Sequence, residues 1–276
     1  MEYTELVDQL KESYRQIFAE QSAAGLLSWA QTKVSNPEEL VSPTIPFVGK
    51  NYVAQKTKVL LYASAENLAK YNGHIDNDDI AINRHRKWFD DSVEKKFFPN
   101  VHIAPISDGS LLIVLRYICE QLGIDMPVTP KEFVEAISFA NFGKFSIKPV
   151  KGSERNIDYA QSKSKLDCCM PYIEKDLEVL KPDIIVMFQT MYSAERSEIE
   201  RLKGDAKLIL LTQINARTVN TNLKRRYALK DEAELSPVIR DWYDSRHFNK
   251  NKFTNRTHTN FLSVFTYLDE VLKAQK

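Results

Sequence analysis

Four short apolar runs, separated by segments of helical period, constrain this chain more than any other feature. They are Lys58-Val-Leu-Leu-Tyr-Ala63, Phe133-Val-Glu-Ala-Ile-Ser-Phe-Ala-Asn141, Ile184-Ile-Val-Met-Phe188 and Lys207-Leu-Ile-Leu-Leu-Thr212. Short, near-continuous apolar runs bounded by polar residues suit strands buried on both faces. Between them, Ser107-Asp108-Gly109-Ser110 offers N-cap chemistry for a helix from Leu111 to Leu122 closed by Gly123. Leu166, Cys169, Ile173, Leu177 and Leu180 define a second helix, which Pro182 stops. Strands alternating with helices predict a parallel sheet covered on both faces. Ligands then belong at the carboxyl ends of the strands, where the loops after Ala63, Asn141, Phe188 and Thr212 converge.

The flanks add helices. Leu6, Leu10, Tyr14, Ile17 and Phe18 predict an amphipathic helix over residues 3–22, and Phe261, Leu262, Phe265, Leu268 and Leu272 predict a C-terminal one. Residues 68–102 lack a clear period and are expected to form a long loop with short helices, and 149–162 a polar loop. At 276 residues the chain can bury a full core. No apolar stretch is long enough for a bilayer, the start Met1-Glu-Tyr-Thr-Glu is not a signal peptide, and Cys119, Cys168 and Cys169 include no Cys-x-x-Cys pair. These features point to a cytoplasmic protein, monomeric, without membrane contact, disulfide framework or zinc. His74, His85 and His102 lack metal-ligand spacing and read as surface or core histidines. Charge is uneven. Arg217 to His258 holds ten Lys/Arg against five Asp/Glu, a local +5 within a total of +1. That is a modest electrostatic footprint for nucleic acid; a solvated surface of mixed charge is the alternative.

Asn141 ends the second run and is followed by Phe142-Gly143-Lys144. An amide that can both donate and accept along one edge suits reading a nucleobase edge, and a Lys beside it suits a phosphate. The plainer roles are a turn for Asn141 and an internal carboxylate partner for Lys144.

Leu60-Leu-Tyr-Ala-Ser-Ala-Glu-Asn67, Gly109-Ser-Leu-Leu112 through Gly123, Phe139-Ala-Asn-Phe-Gly-Lys144, Cys169-Met-Pro-Tyr-Ile173 through Pro182 and Leu210-Leu-Thr-Gln-Ile-Asn215 follow one another in order, preceded by Pro46-Phe-Val-Gly49. In this order they resemble the uracil-DNA glycosylase superfamily, most closely its iron–sulfur branch, over roughly residues 46–220. The resemblance implies an α/β fold: a three-layer α/β/α sandwich around a short, mainly parallel four-stranded sheet. Residues 1–45 would be a helical extension and 46–276 the glycosylase-like domain. It also implies DNA as the partner and excision of a base by hydrolysis of its N-glycosidic bond. Asn141 with Phe142 would bind the base. Lys144, Arg217, Lys224, Arg225 and Arg226 would contact DNA.

The departures are specific. Ser64 stands where the family carries its acid, Glu66 and Asn67 replace Pro and Gly, Gln189 replaces a Gly, and Ile214-Asn215 replaces His-Pro. Phe145 follows Lys144 where a cluster Cys would stand, so no iron–sulfur cluster, metal or other cofactor is expected. The candidate catalytic set is Ser64, Glu66, Asn67 and Asp108, with an exposed loop acid as the alternative for Glu66 and an N-cap for Asp108. A rebuilt first loop and the 68–102 insertion imply a modified or bulky base, including one on foreign or phage DNA, rather than plain uracil. A glycosylase-fold DNA-binding module without catalysis, or an enzyme on free nucleosides, are the alternatives.

Overall fold

A computed structural model describes residues 1–31, 40, 42–65, 78–94, 110–147, 163–244 and 259–275. The first helix, α1 (Tyr3–Ala23), forms where the apolar period foresees it, and it starts with a capping box between Glu2 and Glu5. Leu6, Leu10 and Tyr14 are buried along one stripe. Then come the short strands β1 (Ala30–Gln31) and β2 (Phe47–Val48), and the longer β3 (Val59–Ala65). Helices α2 (Asp78–Ile82) and α3 (Arg84–Glu94) fall within the stretch expected to be loop with short helices. Next are α4 (Ser110–Gln121), α5 (Pro130–Val134), β4 (Ser138–Gly143) and β5 (Ser146–Ile147). The chain continues through α6 (Lys163–Leu180), β6 (Ile184–Phe188), α7 (Gln189–Ala194), α8 (Arg196–Leu202) and β7 (Lys207–Leu211). It ends with α9 (Ala216–Thr218), a π-helical stretch (Val219–Leu223), α10 (Lys224–Arg226), α11 (Pro237–Asp244) and α12 (Leu262–Ala274). The expected 149–162 loop lies outside the described residues.

The fold is α/β, but its sheet is mixed and has five strands in the order β2-β4-β3-β6-β7. β4, β3, β6 and β7 run parallel, and β2 adds antiparallel to the outer edge of β4. The expected four-stranded sheet is therefore corrected by one edge strand. Two residues are too few to carry a period-2 signal. Tertiary contacts hold β2 instead: Phe47 stacks on Phe139 at 4.6 Å, and the Ser138 hydroxyl donates to the Phe47 carbonyl. A separate two-stranded ribbon pairs β1 with β5.

The second apolar run is corrected at its start. Thr129 caps α5 through its side chain, with Pro130 at the first helical position, so Phe133 and Val134 are helical and the strand begins at Ser138. β-Branched content over this stretch yields to capping chemistry just upstream.

Alternation along β3 divides the interior into two cores. Val59, Leu61 and Ala63 pack with α4, α11 and α12 on one face; Leu60 and Tyr62 pack with α1 and α6 on the other. Each core strand is apolar on both sides, the reason the runs read as continuous rather than alternating. The N-terminal helix belongs to the second core, with Tyr14 fully buried against α6 residues. Among the described residues no helix is long and apolar enough to cross a membrane.

Among the described residues one non-glycine backbone site, Lys181, is under strain. Lys181 ends α6 with φ +45°, and its N–H reaches the Leu177 carbonyl at 3.1 Å, a left-handed cap normally given to Gly. The side chain costs about 1 kcal/mol in this conformation. Lys181→Gly is expected to raise stability by about 0.5–1 kcal/mol, part of the gain being offset by added freedom in the unfolded chain. Urea unfolding should move to a higher midpoint at unchanged slope.

Candidate functional site

The parallel strands reverse direction of growth at β3: the chain places β4 on one side of it and β6 on the other. In open α/β sheets that reversal leaves a crevice beyond the carboxyl ends of the strands. Here those ends are Ala65, Gly143, Phe188 and Leu211. The crossover from β3 to the parallel β4 also carries α4, whose first turn follows residue 109 at the same edge.

Asn141 stands one turn of the pleat before the end of β4, opposite Ala63 in register, and is 4% exposed. Its side chain shares a face with Phe139, the face covered by α4 and α12. Ser64 is half-buried near the end of β3, between Ala63 and Ala65. Glu66, Asn67 and Asp108 lie outside the described residues, as do His74 and His102.

Phe142 is not in the crevice. Period-2 alternation sends it to the opposite face from Asn141, where it is 1% exposed and meets Tyr62 edge-on at 5.8 Å. The base-binding assignment of Phe142 is corrected to a core contact. Lys144 is corrected as well, in favour of the internal carboxylate. Its ammonium lies 2.6 Å from Asp176 Oδ2 on α6 and donates to Tyr14 Oη at 2.8 Å. The Tyr14 hydroxyl donates to Asp176 Oδ1 at 2.7 Å, and the Tyr62 hydroxyl donates to Oδ2 at 2.9 Å. Lys144 is 2% exposed and Asp176 fully buried, so no phosphate reaches this ammonium without unfolding the core. Burial pushes the Asp176 carboxyl above the usual carboxylate range, opposed by the Lys144 ammonium and the hydroxyl bonds; Tyr14 and Tyr62 are pushed up by burial first and Asp176 second.

Sequence reading missed this network. Its only signal was a lone acid, Asp176, on the apolar stripe of α6 next to Ile173 and Leu177. His85, tilted against Phe139 at 5.9 Å, is a buried core histidine whose imidazole is pushed well below its usual range by burial, then by Arg84 and Lys144.

The segment after β7 is polar and basic on its outside. From Thr212 to Lys230 the sequence contains five Lys/Arg and no Asp or Glu. Lys230 is committed to Asp269 at 2.6 Å. Arg217, Lys224, Arg225 and Arg226 are all exposed, and among the described residues none of them forms an ion pair. Asn215 caps the segment by accepting the Thr218 N–H at 2.9 Å. Gln189 opens α7 directly at the end of β6 and bonds Ser193 at 3.0 Å.

The arrangement thus brings a buried amide and an uncompensated basic segment to strand ends and loops at one edge of the sheet, while alternation puts the half-buried Ser64 on the face of β3 away from Asn141. At the opposite edge, an open cavity of about 450 Å³ is lined by Lys181, Lys203 and Lys207 together with Asp183 and Asp205. Charges of both signs offset one another there, and it offers no comparable site. No family model and no curated protein sequence matches the chain.

Proposed function

We propose that this protein is a DNA glycosylase that takes a modified base out of the stack and hydrolyses its N-glycosidic bond, leaving an abasic site. The observation that carries the reading is Asn141: a buried amide at the carboxyl end of a parallel strand, beside the β3 reversal where α/β sheets hold their ligands. In this reading the sheet and its two helical layers form the three-layer α/β/α sandwich of the uracil-DNA glycosylase superfamily, and Asn141 pairs with the edge of the flipped base. Water adds its oxygen to the sugar C1′ while the base nitrogen takes a proton. A carboxylate of the 66–108 stretch, Glu66 or Asp108, favours the sugar cation and orients that water. Arg217, Lys224, Arg225 and Arg226 hold the DNA backbone. The protein acts as a cytoplasmic monomer on modified, including foreign, DNA.

A second reading, a DNA-binding module without catalysis, is favoured by Ser64, which carries no carboxylate at the family's acid position. One experiment separates them. Duplexes carrying uracil, hypoxanthine or hypermodified cytosine are incubated with the protein, and abasic sites are then cleaved with alkali. The glycosylase reading expects strand breaks at one of these bases, and a drop of about 100-fold or more in rate for Asn141→Ala, the scale for removing one donor aimed at developing charge. No breaks on any duplex, with salt-dependent binding retained, would establish the module instead.

A further inference from the structure

The segment after β7 is wound in a way that a helix of its composition has no local reason to adopt. Val219–Leu223 forms a π turn between α9 and α10. Such turns are rare and cluster at functional sites. The cause here lies in the spacing of the buried side chains. Val219 and Leu223 are 0% and 3% exposed, and Tyr227 is half-buried against Tyr267 with ring centroids 5.3 Å apart. These three positions are four residues apart. In an α-helix each such step overshoots by about 40°, so the third would drift about 80° off the core. The wider π turn cancels the drift and keeps all three facing inward.

The same winding acts on the outer face. Arg217, Thr221 and Arg225 are also four residues apart, and all three are exposed. The π turn sets them in one straight row spanning about 12 Å at α-helical rise, with Lys224 and Arg226 to either side. Thr221 Oγ donates to the Arg217 carbonyl at 2.8 Å, tying successive members of the row together.

The row is fixed from behind by the C-terminal helix and the residues leading into it. Asn260 Nδ2 donates to Asn220 Oδ1 at 2.8 Å, Thr266 Oγ1 donates to the Ala228 carbonyl at 2.8 Å, and Tyr267 Oη accepts the Thr212 N–H at 2.7 Å. Lys230, paired with Asp269 and Tyr117, closes the far end. A row held at this many points loses little freedom on binding.

We infer that this row is a rail for one strand of nucleic acid, along which Arg217, Thr221 and Arg225 contact phosphates in a register set by the π turn. The fit is electrostatic and geometric. Phosphates of one strand repeat about every 3.4 Å along the duplex axis, so row members about 6 Å apart meet about every second one. The inference rests on the reading of DNA as the partner but not on base excision.

The test is the salt dependence of binding to a plain duplex and to a single-stranded oligonucleotide of the same length. Arg217→Gln and Arg225→Gln are each expected to lower the slope of log affinity against log salt by about 0.9 on duplex, and Lys224→Gln and Arg226→Gln by less than half as much. Exchanging Asn222 and Arg225 (Asn222→Arg with Arg225→Asn) moves the guanidinium one residue beyond Thr221, about 100° out of the row, at unchanged charge. It should lower the slope as much as Arg225→Gln does. Equal effects from all four Gln variants would mean diffuse attraction and would overturn the rail, as would absence of binding to either probe. Graded slopes without any base release would leave the rail standing and remove the glycosylase reading.

Discussion

Lys144→Met is expected to destabilise the protein by about 3–5 kcal/mol, a large part of the 5–15 kcal/mol available to a natural domain. The loss follows from what stays behind. Asp176 is fully buried and receives the Lys144 ammonium and two tyrosine hydroxyls. Without the ammonium, a carboxylate remains in the core without its counter-charge. Asp176→Leu leaves the ammonium in the same position and should cost a similar amount. The double replacement Lys144→Met with Asp176→Leu removes both charges and strands only the hydroxyls of Tyr14 and Tyr62. It should cost less than the sum of the single changes, with a coupling of about 2 kcal/mol or more. Denaturant unfolding of the four proteins measures the cycle.

The pH dependence has a definite sign. Burial holds the Asp176 carboxyl above its unfolded value, and removing Lys144 takes away the first of the opposing influences. A group whose folded pKa is raised contributes stability below its unfolded value, near pH 4, and loses it as pH rises through the folded value. The deficit of Lys144→Met should therefore shrink as pH falls towards 4 and be largest at neutral pH. A deficit independent of pH would mean that the carboxylate finds water. Unchanged stability in Lys144→Met, with a lowered salt slope for DNA binding, would return Lys144 to the phosphate role that its sequence context suggests.

Gly49→Ala is the second large effect. The Gly49 N–H donates to the Ile137 carbonyl at 2.9 Å, and Asn51 N–H donates to the Glu135 carbonyl at 2.8 Å, so the two backbones run in contact. A Cβ at position 49 would stand 2.3 Å from the carbonyl carbon and oxygen of Glu135 and 2.7 Å from its Cα. Backbone on both sides leaves no flexible side chain to yield. Glu135 is pinned further by Arg86, whose guanidinium bonds both its carboxylate oxygens at 2.7 and 2.8 Å and holds the carboxyl below its usual range against the effect of burial. The expected cost is about 3 kcal/mol or more, or a fall of about 6–12 °C in Tm for a chain of this size. A Tm within 2 °C of the wild type, by calorimetry, would mean that β2 is not held against the turn after α5.

The positions of strands and of most long helices were legible because their signal is local. Val59, Leu60, Leu61 and Tyr62 form a run that is buried on both faces, and that double burial makes such a run recognisable. The stripe of α6 is legible through Cys169, Ile173, Leu177 and Leu180 for the same reason. Two kinds of feature were not legible. β2 is two residues long and exists through Phe139, Ser138 and the Glu135 backbone packed on Gly49, none of which is near it in sequence. The winding after β7 depends on Val219, Leu223 and Tyr227 facing the core together, and α12 supplies much of that surface.

Around Asn141 the division is sharper. Sequence alone determined that an amide lies near the end of a buried strand, that a basic stretch follows the last strand, and that Ser64 stands where the resemblance asks for an acid. Only the tertiary structure decided where the neighbours of Asn141 point. The pleat turned Phe142 to the far face, and Asp176, thirty-two positions further along the chain than Lys144, drew the ammonium into the core. A side chain's type is written at its own position, but its electrostatic partner is chosen by the fold, because a charge buried by packing must find its counter-charge and hydrogen bonds within the core to offset its lost hydration.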